Sequence, residues 1–155
     1  MTRLKEQKLW DAMRENFAAA AKTSDPALRM RLERIENVAG EGTPDVLVLC
    51  DGAVTFCELK AVAAFPRRPS TRVLGTEGLR QEQKNWHMGW QHAGGRSLIL
   101  IGIGSGRERA HFAIEGRHCD TVNEMSWSDL SRHQAVQGVG AGFWIQLMKY
   151  LKGTK

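Results

Sequence analysis

The sequence predicts an α/β (α+β) fold, a mixed sheet flanked by helices, on three observations. These are an amphipathic first segment, a hairpin signal joining two apolar runs, and a second helical segment leading into another apolar run. From Leu4 to about Ala21, the residues Leu9, Trp10, Met13, Phe17 and Ala21 recur at three- and four-residue spacing, so one face of a helix is buried. Asp25-Pro26 interrupts this pattern, Arg31 to Val38 alternates weakly as a strand would, and Gly40 to Pro44 reads as a loop. Val46 to Cys50 is continuously apolar, Asp51-Gly52 is a two-residue turn signal, and Val54 to Lys60 resumes as a strand. Ala61 to Gly78 carries Pro66, Pro69, Gly75, Arg67, Arg68 and Arg72 without periodicity, as a long basic loop does. Leu79, Gln83, Trp86 and Trp90 follow helical spacing and Gly94-Gly95 supplies a stop, giving a helix from about Gly78 to Ala93. Ser97 to Ile103 is then a buried strand, Gly104-Ser105-Gly106 a turn, Ala110 to Ile114 an antiparallel return, and Phe143 to Leu151 a closing helix. The 155 residues suit one domain, with a core over about 5–103 and a smaller C-terminal decoration over about 104–155.

Twenty-two Lys and Arg against 17 Asp and Glu give a net charge of +5, which suits a polyanionic partner. The odd set Cys50, Cys57 and Cys119 argues against a disulfide framework and for reducing conditions. The start MTRLKEQKLW lacks the apolar run of a signal peptide, and no stretch approaches the roughly 20 apolar residues of a membrane span. The expectation is a cytoplasmic chain with no membrane partner.

A two-residue Asp51-Gly52 turn sets Cys50 against Ala53 and Asp45 against Glu58. Opposed residues on one face of an antiparallel pair have Cβ atoms about 4.5–5.5 Å apart, close enough for two carboxylates to share a divalent cation. Alternation puts Val54, Phe56, Glu58 and Lys60 on one face and Thr55, Cys57 and Leu59 on the other, so Lys60 stands beside Glu58. An apolar strand that ends on Glu and Lys breaks the pattern of simple burial, as functional sites do. The simpler alternative is that Asp45 caps a loop while Glu58 and Lys60 form a solvated surface ion pair.

Gly42-Thr43-Pro44-Asp45, twelve intervening residues, then Glu58-Leu59-Lys60 resembles the Pro-Asp…Glu-X-Lys signature of the PD-(D/E)XK nuclease superfamily. With Arg34-Ile35-Glu36-Asn37 upstream and Leu79 and Gln83 downstream, the chain is most similar to small VRR-NUC-like and Holliday-junction-resolvase-like nucleases common in phages. The resemblance spans about Lys5 to Ile103. It implies a restriction-endonuclease-like αβββαβ core, and a cell that is bacterial or a phage-infected host. It also implies hydrolysis of DNA phosphodiesters to 5′-phosphate and 3′-hydroxyl ends, with Mg²⁺ or Mn²⁺ held by Asp45, Glu58 and the Leu59 carbonyl. Lys60 would orient or deprotonate the attacking water and stabilise the transition state.

Related sites recruit a carboxylate from the first helix, and Glu6, preceding Trp10, Met13 and Phe17 by four, seven and eleven residues, lies at the centre of the apolar face. Glu36 on the neighbouring strand is its competitor as metal ligand, and a tolerated acid in the first helical turn is the alternative for Glu6. Gln83 interrupts an apolar stripe, either as a site residue, as in the related nucleases, or as a satisfied core glutamine. Arg67, Arg68, Arg72 and Arg80 are candidate DNA-backbone ligands, with a solvated basic loop as the alternative. Trp86, Trp90, Trp127 and Trp144 could stack on bases, although tryptophan at helical spacing is more often core.

Cys57, His118 and Cys119 match no structural zinc spacing, Gly102-Ile103-Gly104-Ser105-Gly106 lacks the strict phosphate-binding pattern, and Walker A and Gly-X-Ser-X-Gly sequences are absent. No nucleotide cofactor is therefore expected. The sequence reading is a Mg²⁺-dependent DNA endonuclease acting on branched, junction or flap DNA in replication, recombination or repair. The alternatives are a non-catalytic DNA-binding or assembly module with the same fold, and a restriction-type or exonucleolytic enzyme. A homodimer follows from analogy with resolvases that cut two strands symmetrically.

Overall fold

The computed structural model of the chain describes residues 2–23, 29–35 and 40–152. Helix α1 (Thr2–Thr23) buries Leu9, Met13, Phe17 and Ala20 as one stripe. The stripe ends on Ala20 and leaves Ala21 exposed, because Ala20 follows Leu9 by nearly three whole turns of a 3.6-residue helix, whereas Ala21 overshoots by about a third of a turn. Strand β1 (Met30–Arg34) is half-buried. The strand expected to reach Val38 is described only to Arg34; residues 36–39, Glu36 among them, lie outside the described residues.

Strands β2 (Val46–Cys50) and β3 (Ala53–Val62) form the hairpin, with Asp51 at φ 47° and Gly52 at φ 84°, the doubly left-handed turn whose twist matches an antiparallel pair. Cys50 pairs with Ala53 and Val46 with Cys57, so Asp45, one residue before the ladder, stands across from Glu58. Helix α2 (Gln81–His92) starts later than the spacing suggests. Arg80 is still extended and Leu79 lies in the irregular segment before it, where its side chain is buried as an anchor and not as part of the helical face.

Strand β4 (Ser97–Ile103) pairs in parallel with β3, and β5 (Ala110–Glu115) returns antiparallel beside it. Two further elements follow that the periodicity does not suggest, α3 (Trp127–His133) and β6 (Gln134–Val139), before the closing helix α4 (Ala141–Leu151). The start of α3 carries a legible signal: Ser126 Oγ accepts the Asp129 N–H, and the Asp129 carboxylate accepts the Ser126 N–H at 3.0 Å. Strand β6, with the sequence QAVQGV, has only Val136 buried and therefore offers almost no alternation to read.

The six strands make one mixed sheet in the order β1-β2-β3-β4-β5-β6, parallel only at the β3–β4 joint. On one face α1 and α4 cover a core that includes Leu9, Phe17, Val46, Cys57, Leu59, Trp144 and Leu147. On the other lies a second core of Ile99, Ile101, Ile103, Phe112, Val122 and Leu130. The last third of the chain is thus no decoration. Strand β4 is buried along its whole length, which requires a strand on its free edge, and β5 and β6 extend the same sheet while α4 completes the core shared with α1. All three cysteines are buried and unpaired. Among the described residues no helix is long and apolar enough to cross a membrane.

Candidate active site

The site begins with what alternation does to β3. Cys57 and Leu59 enter the core beneath α1, whereas Glu58 and Lys60 point to the opposite face, beside Ile99 and Ile101 of β4. There they are covered by α2, and Glu58 is only 2% exposed and Lys60 7%. Their ion pair, Lys60 Nζ to Glu58 Oε1 at 3.3 Å, is therefore not the solvated surface pair of the simpler alternative. Burying two charges costs several kcal/mol per ion before pairing, a cost that a strand end selected for stability alone would avoid.

Gln83 clasps the pair. Its Nε2 donates to Glu58 Oε1, and its Oε1 accepts from Lys60 Nζ at 3.3 Å and from the Arg80 N–H at 2.9 Å. One amide thus fixes both charged groups to the first turn of α2. Four residues further along that helix, His87 is fully buried, with Nδ1 2.8 Å from Ser97 Oγ and Nε2 unpartnered. Burial, reinforced by the Lys60 charge, pushes the His87 imidazole down to about 4, so it stays neutral behind the pair. The sequence reading did not single out His87; its position four residues after Gln83 is the signal that could have found it.

Asp45 reaches the same place from β2. Its Oδ2 accepts the Leu59 N–H at 2.9 Å, replacing the ladder carbonyl that β2 no longer supplies beyond Val46. In an extended strand the N–H and C=O of one residue point to the same side, so the Leu59 carbonyl is directed toward the Asp45 side of β3. The loop ahead of Asp45 is seated by Gly42, at φ 84°, where a Cβ would lie 2.2 Å from the Glu82 carbonyl oxygen. Only glycine permits both this backbone and this approach to α2.

Glu58 is the electrostatic centre. Burial, and next the Asp45 carboxylate, push its carboxyl up to about 8 against the opposing pull of Lys60, and Glu6 adds a smaller push in the same direction. Its Oε2 is buried with no hydrogen-bond partner. Glu6 is itself raised, chiefly by partial burial, and it lines an open cleft of about 1000 Å³ together with Asp45, Gln83, Arg34 and Arg80. Arg3 also lines this cleft, and Arg34 lies over the Trp10 ring at 5.6 Å, so two further cations join Arg80 at the rim. Arg3 is one helical turn before Glu6, which is the signal for it.

The structure therefore brings together Asp45, Glu58, Leu59, Lys60, Gln83, Glu6 and Arg80, while Glu36 lies outside the described residues. Arg67 and Arg68 lie apart from the cleft, against Phe65 and Trp127, and Arg72 is held by Glu124, whose two carboxylate oxygens are both 3.1 Å from its Nη1. Trp144 is core, whereas Trp86 and Trp90 are half-buried and pack edge-on against Phe56 outside both cores. Trp127 is not core: it is 52% exposed.

Among the described residues no three His, Cys, Asp or Glu side chains converge closely enough to enclose a cation by themselves. The donor set is two carboxylates and a carbonyl, all oxygen, with one buried carboxylate oxygen unpartnered and its charge disfavoured by its neighbour. That composition fits a hard divalent cation that keeps part of its water shell. Compared with models of known protein families and with curated proteins, the chain matches none.

Proposed function

We propose that the chain is a divalent-metal-dependent deoxyribonuclease, with Asp45, Glu58 and the Leu59 carbonyl holding Mg²⁺ or Mn²⁺ and Lys60 as the catalytic cation. The observation that carries this reading is the Glu58–Lys60 pair, buried beside Asp45 with one Glu58 oxygen lacking any partner. The αβββαβ order of the first six elements and the PD-(D/E)XK resemblance of the same residues support it.

When bound, the cation acidifies a water and neutralises charge at the scissile phosphate. Asp45 and Glu58 supply the negative charge that selects a cation, and the Leu59 N–H fixes the Asp45 carboxylate in place. Lys60, anchored by Gln83, presents its ammonium where negative charge would grow on the phosphoryl oxygens or where a water proton must leave. Arg80, Arg34 and Arg3 at the cleft rim suit the phosphates flanking the cut. Branched, junction or flap DNA is the proposed substrate, with a homodimer serving symmetric cleavage.

The test is incubation of labelled four-way junction, flap, duplex and single-stranded DNA with Mg²⁺ or Mn²⁺, with Asp45→Ala and Lys60→Ala run alongside. We expect cleavage that is abolished by EDTA and reduced at least about a hundredfold in each variant. Binding without cleavage in either metal would replace this reading with a non-catalytic DNA-binding module.

A further inference from the structure

The long basic loop is held down at several points. The Val73 N–H donates to the Met125 carbonyl at 3.0 Å, Arg72 pairs with Ser126 in an isolated bridge, and the Asn123 side chain bonds both the N–H and the carbonyl of Leu79. This docking brings Phe65 against Trp127 across the start of α3, with ring centroids 5.5 Å apart and planes inclined by 59°. Both rings remain open to solvent, Phe65 at 41% and Trp127 at 52% exposure. They line a hollow of about 290 Å³ together with Pro66, Arg67, Arg68 and Pro69. Neither guanidinium has an ion-pair partner among the described residues, whereas neighbouring Arg72 does.

Two exposed aromatic rings inclined to each other and two uncommitted guanidinium-bearing residues line one hollow, offering it a flat π surface and an anion site. An unpaired nucleotide presents the matching chemistry, a base face and a phosphate. A fully paired duplex does not, because its base faces are already stacked. The hollow is at the small end of ligand pockets, which run from roughly 300 Å³, so it accepts one ring system and not a helix. Five residue steps along the chain keep the Cα of Phe65 within about 18 Å of that of Lys60, a span of some five stacked nucleotides along a strand.

We propose that Phe65 and Trp127, with Arg67 and Arg68, form a stacking site for an unpaired base of a single-stranded segment of the nucleic-acid substrate. The inference rests on the nuclease reading only for the kind of polymer bound. It narrows the substrate to strands with unpaired bases close to the cut.

Binding measured in EDTA separates the two claims, since no turnover is needed. Fluorescently labelled single-stranded and forked oligonucleotides and a blunt duplex of the same length are titrated against the wild-type chain and against Phe65→Ala, Trp127→Ala and Trp127→Phe. Both alanine variants should weaken single-strand and fork binding by at least about fivefold, the effect of one lost stacked base. Blunt duplex binding should stay unchanged, and Trp127→Phe should restore most of the loss. Equal losses on every probe, no loss on any, or no binding at all would overturn the stacking site, whatever the cleavage assay gives. A selective loss with no cleavage of any DNA would support the stacking site and remove the nuclease reading alone.

Discussion

Glu58 ties the charge of the site to the stability of the fold. Its carboxyl, raised from an ordinary value of 4.5 to about 8 by burial and by Asp45, binds a proton more tightly in the folded chain than in the unfolded one. The stabilisation it gives the metal-free protein is therefore fully present below pH 4.5 and is lost as pH rises through about 8. Thermal unfolding in EDTA between pH 5 and 9 should show the wild type losing melting temperature relative to Glu58→Gln as pH increases; parallel curves would show that Glu58 titrates normally. Under the proposed function Mg²⁺ would compete with the same proton, so its apparent affinity should rise with pH up to about 8 and then level off. Residues of this kind were readable from the sequence because the pleat forces them into register. Asp45, Glu58 and Lys60 are fixed by an Asp-Gly turn and a period of two, and both come from local sterics. The polar partners that enclose them were less readable. His87 meets Ser97 and Gln83 meets Lys60 only because α2 folds back over β3, and no local pattern encodes that distance.

Among the elements, the β1–β2 loop and α2 act as one unit, because Gly42 lies against the Glu82 carbonyl. Gly42→Ala would place a methyl group 2.2 Å from backbone and hold alanine at φ 84°, whereas Gly52→Ala has the same φ with nothing within 4 Å. Gly52→Ala should therefore cost about 1 kcal/mol for the left-handed backbone alone. Gly42→Ala should cost several kcal/mol and reduce metal affinity by displacing Asp45. Chemical denaturation of the two variants side by side checks this, and equal losses would show that the approach to α2 does not matter. The same coupling explains the limits of reading elements from periodicity. Elements with a long buried stripe, such as α1 and β4, were legible, whereas α3 and β6 bury one residue each and are held by neighbours contributed from elsewhere in the chain.

For the whole molecule, the two helical layers separate two tasks. Helices α1 and α4 seal the face of β3 that carries Cys57 and Leu59, while α2 covers Glu58 and Lys60 and leaves Asp45 open to the cleft. The closing helix is fastened to the sheet by Arg96, whose Nη2 donates to the Tyr150 carbonyl at 2.5 Å and whose guanidinium lies 4.4 Å from the Tyr150 ring centroid. A chain ending at Ile103 would keep every proposed catalytic residue yet lose α4 and the partner of β4. We expect it to be insoluble or aggregated on expression, whereas the 155-residue chain should elute as a single species in size-exclusion chromatography. A soluble, active fragment would show that the first six elements fold without the rest.

Spatial order in the sheet repeats chain order from β1 to β6. Such a sheet can be laid down as the chain leaves the ribosome, each strand joining an open edge and none having to thread between two already paired. Among neighbouring strands the longest connection is the β3–β4 crossover, which carries both the basic loop and α2, so the step that brings Gln83 over Glu58 and Lys60 also closes the longest strand-to-strand loop of the sheet. Assembly of the charged site and commitment to the fold would then be the same event, and a refolding chain could not expose a working Glu58–Lys60 pair before its sheet had closed around it.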